Sequence, residues 1–242
     1  MVFAAGKGER MRPLTEHTPK PLIKVNGKPL IEYSLDKLAY LGVTHAVVNT
    51  HYKAEQLHDY LRHYTKMKIT VSHEPELLET GGGLMKARPH LGNDPIFVIN
   101  SDIIFVDNPK GTPTLQRLAN HWQPFMDMLL LLQPKDKAIG YDGKGDFDIG
   151  ARQQVLKSTD PVQPFVFAGV QIFHPRLLDG MEIKSFSLNY FFFRAIQKDS
   201  SLKGVYGLPH DGNWLHIGTP DGVQKATDFL KSHPEGTPPK EW

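Results

Sequence analysis

From Met1 to His73 short apolar runs alternate with helical patterns, and this alternation narrows the fold more than any other property of the chain. "MVFAA" reads as a short apolar strand that runs at once into glycines. "LIEYSLDKLAYLG" sets Ile31, Leu35, Leu38 and Leu41 near one helical face and closes on Gly42, a residue suited to a helix C-terminus. "HAVVNT" reads as a buried strand, "AEQLHDYLRHY" as a helix and "MKITVSH" as a further strand. Strands separated by helices in this order predict a mostly parallel central sheet with helices on its faces, an α/β fold. "DPIFVINSD" continues as a buried strand with an acidic tip, "PTLQRLANHW" as a helix and "FMDMLLLLQP" as a long central strand.

Past Pro134 the texture changes. "DKAIGYDGKGDFDIGARQQV" is polar and glycine-rich, which predicts hairpins or loops rather than another strand-helix unit. "PFVFAGVQIFHP" reads as one strand or a pair, and "SLNYFFFRAIQKD" and "TPDGVQKATDFLKSH" as amphipathic helices. No internal repeat interrupts this order, so the expectation is one domain over residues 1–232, with halves 1–133 and 134–232 and a loose tail at 233–242.

Composition removes whole classes of function. The chain is 40% hydrophobic and 22% charged, close to globular averages. Lys and Arg number 28 against 26 Asp and Glu, so there is no basic surplus for nucleic acid and any cationic site is local. No apolar run is long enough for a membrane span, and no apolar signal core opens the chain. With no cysteine, disulfides and thiolate metal sites are excluded, and these features together point to the cytoplasm.

"AAGKGERMRPLTEHTPKPL", Ala4 to Leu22, follows the first strand directly. Gly6 and Gly8 stand where a chain leaving a sheet can aim backbone N–H groups at an anion. Met11 occupies the third-glycine position of a dinucleotide fingerprint and no GK[ST] follows, so spacing alone fits a plain turn equally well. The cations Lys7, Arg10, Arg12 and Lys20 shift the balance toward a polyphosphate. Pro13, Pro19 and Pro21 stiffen the loop, which reduces the entropy lost on binding. Asp102, at the end of "VINSD", fits either a turn aspartate or a carboxylate for a hard cation at the C-terminal edge of the sheet. His51, His58 and His63 lack compact metal spacing and read as surface histidines. Phe191, Phe192 and Phe193 read as core.

The same stretch has the form of the signature of sugar-1-phosphate nucleotidyltransferases, and the chain resembles that family through nearly all its length. "GKPLIEYSLDKLAYLGV" resembles the helix after the signature, "EPELLETGGGLMKA" the nucleotide-base loop, "INSDIIF" the metal-binding strand end, "FAGVQIFHP" the sugar-contacting strand and "WLHIGTPDGV" the closing segment. The blend of "LETGGG" and "GDF" is most similar to N-acetylmuramate-1-phosphate uridylyltransferases, with mannose-1-phosphate guanylyltransferases next. The start is shorter than the family's usual one, which points to a trimmed first strand.

The resemblance implies a Rossmann-like fold with an irregular sugar-binding second half. It also implies transfer of a nucleotidyl group from an NTP, UTP favoured, to a sugar-1-phosphate in cell-wall recycling, with Mg²⁺ (Mn²⁺ as the alternative) as cofactor. Ala5, Gly6, Gly8 and Arg10 then match the triphosphate loop, with Arg10 on the leaving phosphates and Lys20 beside the reacting phosphate. Glu79, Thr80, Gly81, Gly82 and Gly83 match the loop under the base and ribose. Gly145, Asp146 and Phe147, with Ala168 and Gly169, match segments that line the sugar pocket, and Asp102 matches a metal ligand.

One position departs from the pattern: His216 stands where the family has a second metal-binding aspartate. Three accounts follow. Asp102, phosphates and water hold the metal while His216 bonds phosphate; or the site takes Mn²⁺, or Asp211 or Asp221 reaches in; or the chain is a weakly catalytic nucleotide-sugar-binding regulator.

Overall fold

The computed structural model describes residues 1–157, 160–197 and 204–233. Its main sheet has seven strands: β1 (Val2–Phe3), β2 (His45–Thr50), β3 (Lys68–His73), β4 (Ile96–Asn100), β6 (Met128–Pro134), β8 (Phe165–Phe173) and β9 (Val205–Pro209). A second sheet of three strands consists of β5 (Ile103–Val106), β7 (Ala138–Ile139) and β10 (Asn213–His216). The main order is β9-β6-β8-β4-β1-β2-β3, with β8 antiparallel to both neighbours and every other pairing parallel. This is the expected mostly parallel α/β sheet.

Alternation along the strands sorts the core into two layers. Val2, Val48, Ile99, Leu129 and Leu131 face one way, onto α1 (Leu30–Tyr40), α2 (Ala54–Arg62) and α4 (Thr114–His121). Phe3, Val47, Val98, Met128, Leu130 and Leu132 face the other, onto α3 (Glu79–Ala87) and α5 (Asn189–Ile196). Leu30, Ile31, Leu35 and Leu38 bury the inner face of α1, which ends as expected at Gly42 with φ 90°. A third cluster packs α6 (Pro220–Ser232) and the small sheet against Met11, tying the glycine-rich loop to the closing segment. Thr219 caps α6 through Gly222 N–H at 3.2 Å, and Pro220 takes the first turn.

Some local expectations are met and others need revision. The strand over Phe165–Phe173 is one strand with a bulge, opened by Gly169 at φ 70°. The polar stretch after Pro134 does form a hairpin, Asp148–Ile149 with Val155–Leu156. The GGG segment is not a loop: it lies in the first half of α3. Phe191 and Phe192 are core, but Phe193 is 48% exposed, because successive helical residues turn about 100° apart. Past His233 the expected tail lies outside the described residues, as does the end of the helix expected through Asp199.

The connection from β1 runs to β2 on one side, while the chain later returns to place β4 on the other. That reversal opens a crevice at the carboxyl ends of β1 and β4, where ligands of open α/β sheets bind.

Candidate active site

The crevice is a cleft of about 700 Å³, a size suited to a nucleotide-sized ligand. The turn after β1 forms one wall. Ala4 N–H donates to Asn49 Oδ1 at 2.8 Å, which fixes where the loop leaves the sheet. Gly8 has φ 67°, and a Cβ there would lie 2.9 Å from Thr15 Cγ2 and 3.1 Å from Lys20 Cβ, so a side chain is excluded by conformation and by space. Gly6 is different: a Cβ would meet nothing within 4 Å, since that side faces the open cleft. Thr15 donates to Gly8 O at 2.8 Å, and buried Met11 anchors the turn Glu9–Met11 in the core. Lys7 and Arg10 line the cleft from exposed positions, whereas Arg12 is exposed but outside the lining.

Lys20 reaches the cleft from the opposite end of the same loop, its stem buried and its Nζ 2.8 Å from Asp102 Oδ2. Asp102 sits two residues past β4, in the turn before β5, rather than on the strand itself. Burial opposes its ionised form, but the charge and hydrogen bond of Lys20, with His216 nearby, hold the carboxyl below the usual carboxylate range. Ile217 N–H donates to Asp102 O at 3.1 Å, which brings the closing segment to the same turn.

His216 ends β10 opposite Ile103. Its ring stacks on Trp214 at 5.8 Å, meets Tyr141 edge-on at 6.2 Å, and packs so tightly on Gly218 that a Cβ there would lie 2.7 Å from it. Burial lowers its pKa, the cations of Lys20 and Arg10 add to this, and Asp102 and the Gly140 backbone only partly offset it, which favours the uncharged ring. Asp211 pairs with Arg117 and Asp221 with Lys225, so the two carboxylates weighed as substitutes are engaged elsewhere.

Among the described residues no three His, Asp or Glu side chains form a ready metal cage. Asp102 alone nevertheless fits a hard cation of the Mg²⁺ kind, which binds through one or two carboxylates and completes its shell with substrate phosphates and water.

The far wall belongs to Leu77, Glu79, Thr80 and Ser187. Thr80 Oγ1 accepts Leu188 N–H at 2.9 Å, and Gly81 and Gly82 N–H groups both donate to Phe186 O, at 2.8 and 3.1 Å. These two amides are therefore not presented to a base edge, and neither glycine lines the cleft. Each glycine of the triplet instead admits a close neighbour: a Cβ would lie 2.4 Å from the Phe186 ring at Gly81, 2.2 Å from Lys184 O at Gly82, and 2.5 Å from Glu74 Oε1 at Gly83.

Two residues expected in the sugar pocket are absent from the lining of this cleft. Asp146 Oδ2 accepts Phe167 N–H at 2.9 Å, and burial raises its carboxyl pKa, opposed by that bond and by Lys157. Gly169 packs on Asn100, where a Cβ would come within 3.0 Å of Nδ2. Ala5, Gly6, Gly8, Arg10, Lys20, Glu79, Thr80 and Asp102 are thus gathered at one cleft; Gly81, Gly82, Asp146, Gly169 and His216 are not part of its lining. Asn49, Asn100, Ser101 and Ser187 join the lining without having been singled out. Asn49 and Asn100 carried a readable signal, a polar residue near the end of an apolar strand, the same one that marked Asp102.

A stiff cationic loop, a buried lysine on a strand-end carboxylate and a polar far wall suit a polyphosphate ester held at both ends. The lining contains no histidine or cysteine, so the arrangement favours positioning and charge stabilisation over an activated side-chain nucleophile.

The family model described as nucleotidyl transferase matches residues 1–233. Over 233 residues the chain is 36% identical to the N-acetylmuramate alpha-1-phosphate uridylyltransferase of Caulobacter vibrioides, covering 93% of this chain and 94% of that one. It is 31% identical over 244 residues to the mannose-1-phosphate guanylyltransferase catalytic subunit beta of Dictyostelium discoideum, covering 96% of this chain and 65% of that one. Among solved structures, the inositol-1-phosphate CTP transferase from T. maritima superimposes with a TM-score of 0.76 at 16% identity, covering 95% of each chain, a likeness of fold.

Proposed function

This chain belongs to the nucleotidyl transferase family, and from that membership we propose that it transfers the uridylyl group of UTP to N-acetylmuramate-1-phosphate, releasing pyrophosphate, in the cytoplasmic recycling of cell-wall sugars. The family reaction joins an NTP to a sugar-1-phosphate. Its nucleophile, a phosphate oxygen of the sugar phosphate, is already ionised at neutral pH and needs no general base. That oxygen attacks the α-phosphorus, the α–β phosphoanhydride bond breaks, and the electron pair leaves on pyrophosphate.

The observation that best supports this reading is the meeting of Lys20, Asp102 and the Gly6–Gly8 turn in one cleft. Gly6 and Gly8 amides receive the triphosphate, and Arg10 takes the charge growing on the leaving phosphates. Lys20, held in place by Asp102, draws the two reacting phosphates together against their repulsion. A divalent cation, Mg²⁺ with Mn²⁺ as the alternative, held by Asp102 and phosphate oxygens, supplies further neutralisation of the triphosphate. Glu79, Thr80 and Ser187 are placed to meet the nucleoside. Residues 1–133, joined by Ser187, then serve the nucleotide and the rest of 134–232 the sugar, with Asp146 and Gly169 on the sugar side. Among the described residues no helix is long and apolar enough to cross a membrane.

Guanylyl transfer to mannose-1-phosphate is the second reading, favoured by the Dictyostelium relative. Pyrophosphate release measured across UTP, GTP, dTTP and CTP against a panel of sugar-1-phosphates separates them. The UTP and N-acetylmuramate-1-phosphate pair is expected to lead, and release with no pair refutes both.

A further inference from the structure

Glu74 has no exposed surface, and among the described residues no cation pairs with it. Its two carboxyl oxygens are used separately. Oε1 accepts from Asn49 Nδ2 at 2.8 Å, and Oε2 accepts from Leu78 N–H at 3.0 Å. Asn49 in turn uses its own side-chain oxygen for Ala4 N–H at 2.8 Å, which fixes the orientation of its amide and leaves only its NH₂ for Glu74. His51 Nδ1 lies 2.8 Å from the backbone oxygen of Glu74, holding the segment from its other side.

The ends of this chain of hydrogen bonds lie on opposite walls of the cleft. Ala4 opens the turn that carries Ala5, Gly6 and Gly8, and Leu78 stands between Leu77 and Glu79 at the start of α3. Gly83 completes the arrangement, because its missing side chain is the space that Glu74 Oε1 and Asn49 Nδ2 occupy. A buried carboxyl group without a cation is a poor space-filler, and a glutamine of the same shape would do that task at lower desolvation cost. What glutamine lacks is a second acceptor: the site presents two donors, and only a carboxylate receives both.

We propose that Glu74 is a positioning residue for the nucleotide, setting the separation between the phosphate turn and the first turn of α3 so that both ends of an NTP are met together. The proposal rests on the nucleotide reading of the cleft. It predicts that Glu74 acts on nucleotide affinity and leaves the sugar-phosphate side alone.

The test is a cycle of three variants of the full chain, E74Q, N49D and the pair N49D/E74Q. Each single change sets two like groups face to face, NH₂ to NH₂ in E74Q and carboxylate to carboxylate in N49D. The pair exchanges donor and acceptor and restores all three bonds. Binding of a non-hydrolysable UTP analogue with Mg²⁺ is measured by calorimetry, beside KM for each substrate and kcat. E74Q is expected to weaken analogue binding and raise KM for UTP about tenfold, the fold-change of one lost charged hydrogen bond, with KM for the sugar phosphate and kcat changed less than about threefold. The pair should recover at least about threefold of the affinity lost in E74Q, with a full return to the native value not required because Asn49 itself lines the cleft. Unchanged binding in E74Q, an equal rise in both KM values, or a pair no better than the worse single overturns the inference. If E74Q does not fold, the pair decides: native-like binding supports the inference, and failure to fold or to bind refutes it. A native protein that binds no analogue sinks the nucleotide reading itself, whereas native binding with unaltered E74Q sinks only the role of Glu74.

Discussion

Replacing Gly83 by alanine sets two effects of opposite sign against each other. Gly83 lies within α3 with ordinary helical backbone, so by propensity alone alanine should stabilise the helix by about 1 kcal/mol. The new Cβ, however, would stand 2.5 Å from Glu74 Oε1 and 2.9 Å from Asn49 Nδ2, well inside contact distance. Neither neighbour is the loose end of a solvated side chain, since Glu74 is fully buried and Asn49 is 3% exposed. Overpacking of this kind costs about 1–3 kcal/mol, and breaking the 2.8 Å bond between the two side chains adds roughly 1.5–3 kcal/mol. The net expectation is a loss of about 1.5–5 kcal/mol, which in a chain of this size lowers Tm by roughly 3–20 °C. Thermal unfolding followed by circular dichroism measures it, with Gly6→Ala as the control, because that Cβ meets nothing within 4 Å. A Gly83→Ala protein as stable as the native one, or more so, refutes the packing argument and leaves propensity as the dominant effect.

Three further outcomes are expected. Lys20→Ala should lower turnover at least about a hundredfold, the scale of one lost charge-stabilising donor; the broken ion pair with Asp102, 32% exposed, costs about 1 kcal/mol and loss of the buried Lys20 stem adds to it, so Tm should fall by several degrees with the variant still folded. Near-native activity in the folded variant contradicts the role of Lys20. His216→Asp places a second carboxylate beside Asp102 and should lower the Mg²⁺ concentration for half-maximal activity about tenfold; an unchanged value means other ligands already complete the site. Acid stability follows from Asp107, where burial opposes ionisation but Lys37 at 2.8 Å and Thr114 N–H hold the carboxyl below its ordinary value. A carboxyl with a depressed folded pKa stabilises the fold above its unfolded value and loses that contribution as pH falls through the folded one, so the Asp107 contribution should be intact above about pH 5 and be lost in a steep fall of Tm below about pH 4, whereas the buried His216 and His210, whose pKa values burial lowers, bring only a separate decline that begins below about pH 6.5. Asp107→Asn should flatten that fall, and an identical acid profile would contradict it.

The sheet and the phosphate turn were legible because both rest on local signals. Apolar runs bounded by polar tips marked β2, β4 and β6, and glycines directly after a strand marked the turn that now shows Gly8 in a left-handed conformation. The glycine triplet was misread because three glycines are poor helix formers in isolation. What packs against them in α3 is Glu74 from nine residues before Gly83 and Phe186 and Lys184 from a segment more than a hundred residues away, and no local pattern announces that distant contact. Asp146 and Gly169 lie outside the lining of this cleft, and the contacts that fix them, Asp146 with Phe167 N–H and Gly169 on Asn100, are tertiary and leave no local sequence signal. Phe193 was read with Phe191 and Phe192 as a group, although a helix cannot bury three consecutive residues on one face.

The reaction proposed for this cleft joins UTP to N-acetylmuramate-1-phosphate. Its most direct test is kcat/KM for that pair beside GTP and mannose-1-phosphate, with the nucleotide sugar identified by ³¹P NMR. UDP-N-acetylmuramate is the expected product, with a preference of at least about tenfold for the uridylyl pair, a margin that a few pocket contacts supply. A faster guanylyl reaction, or no nucleotide sugar from either pair, would contradict it.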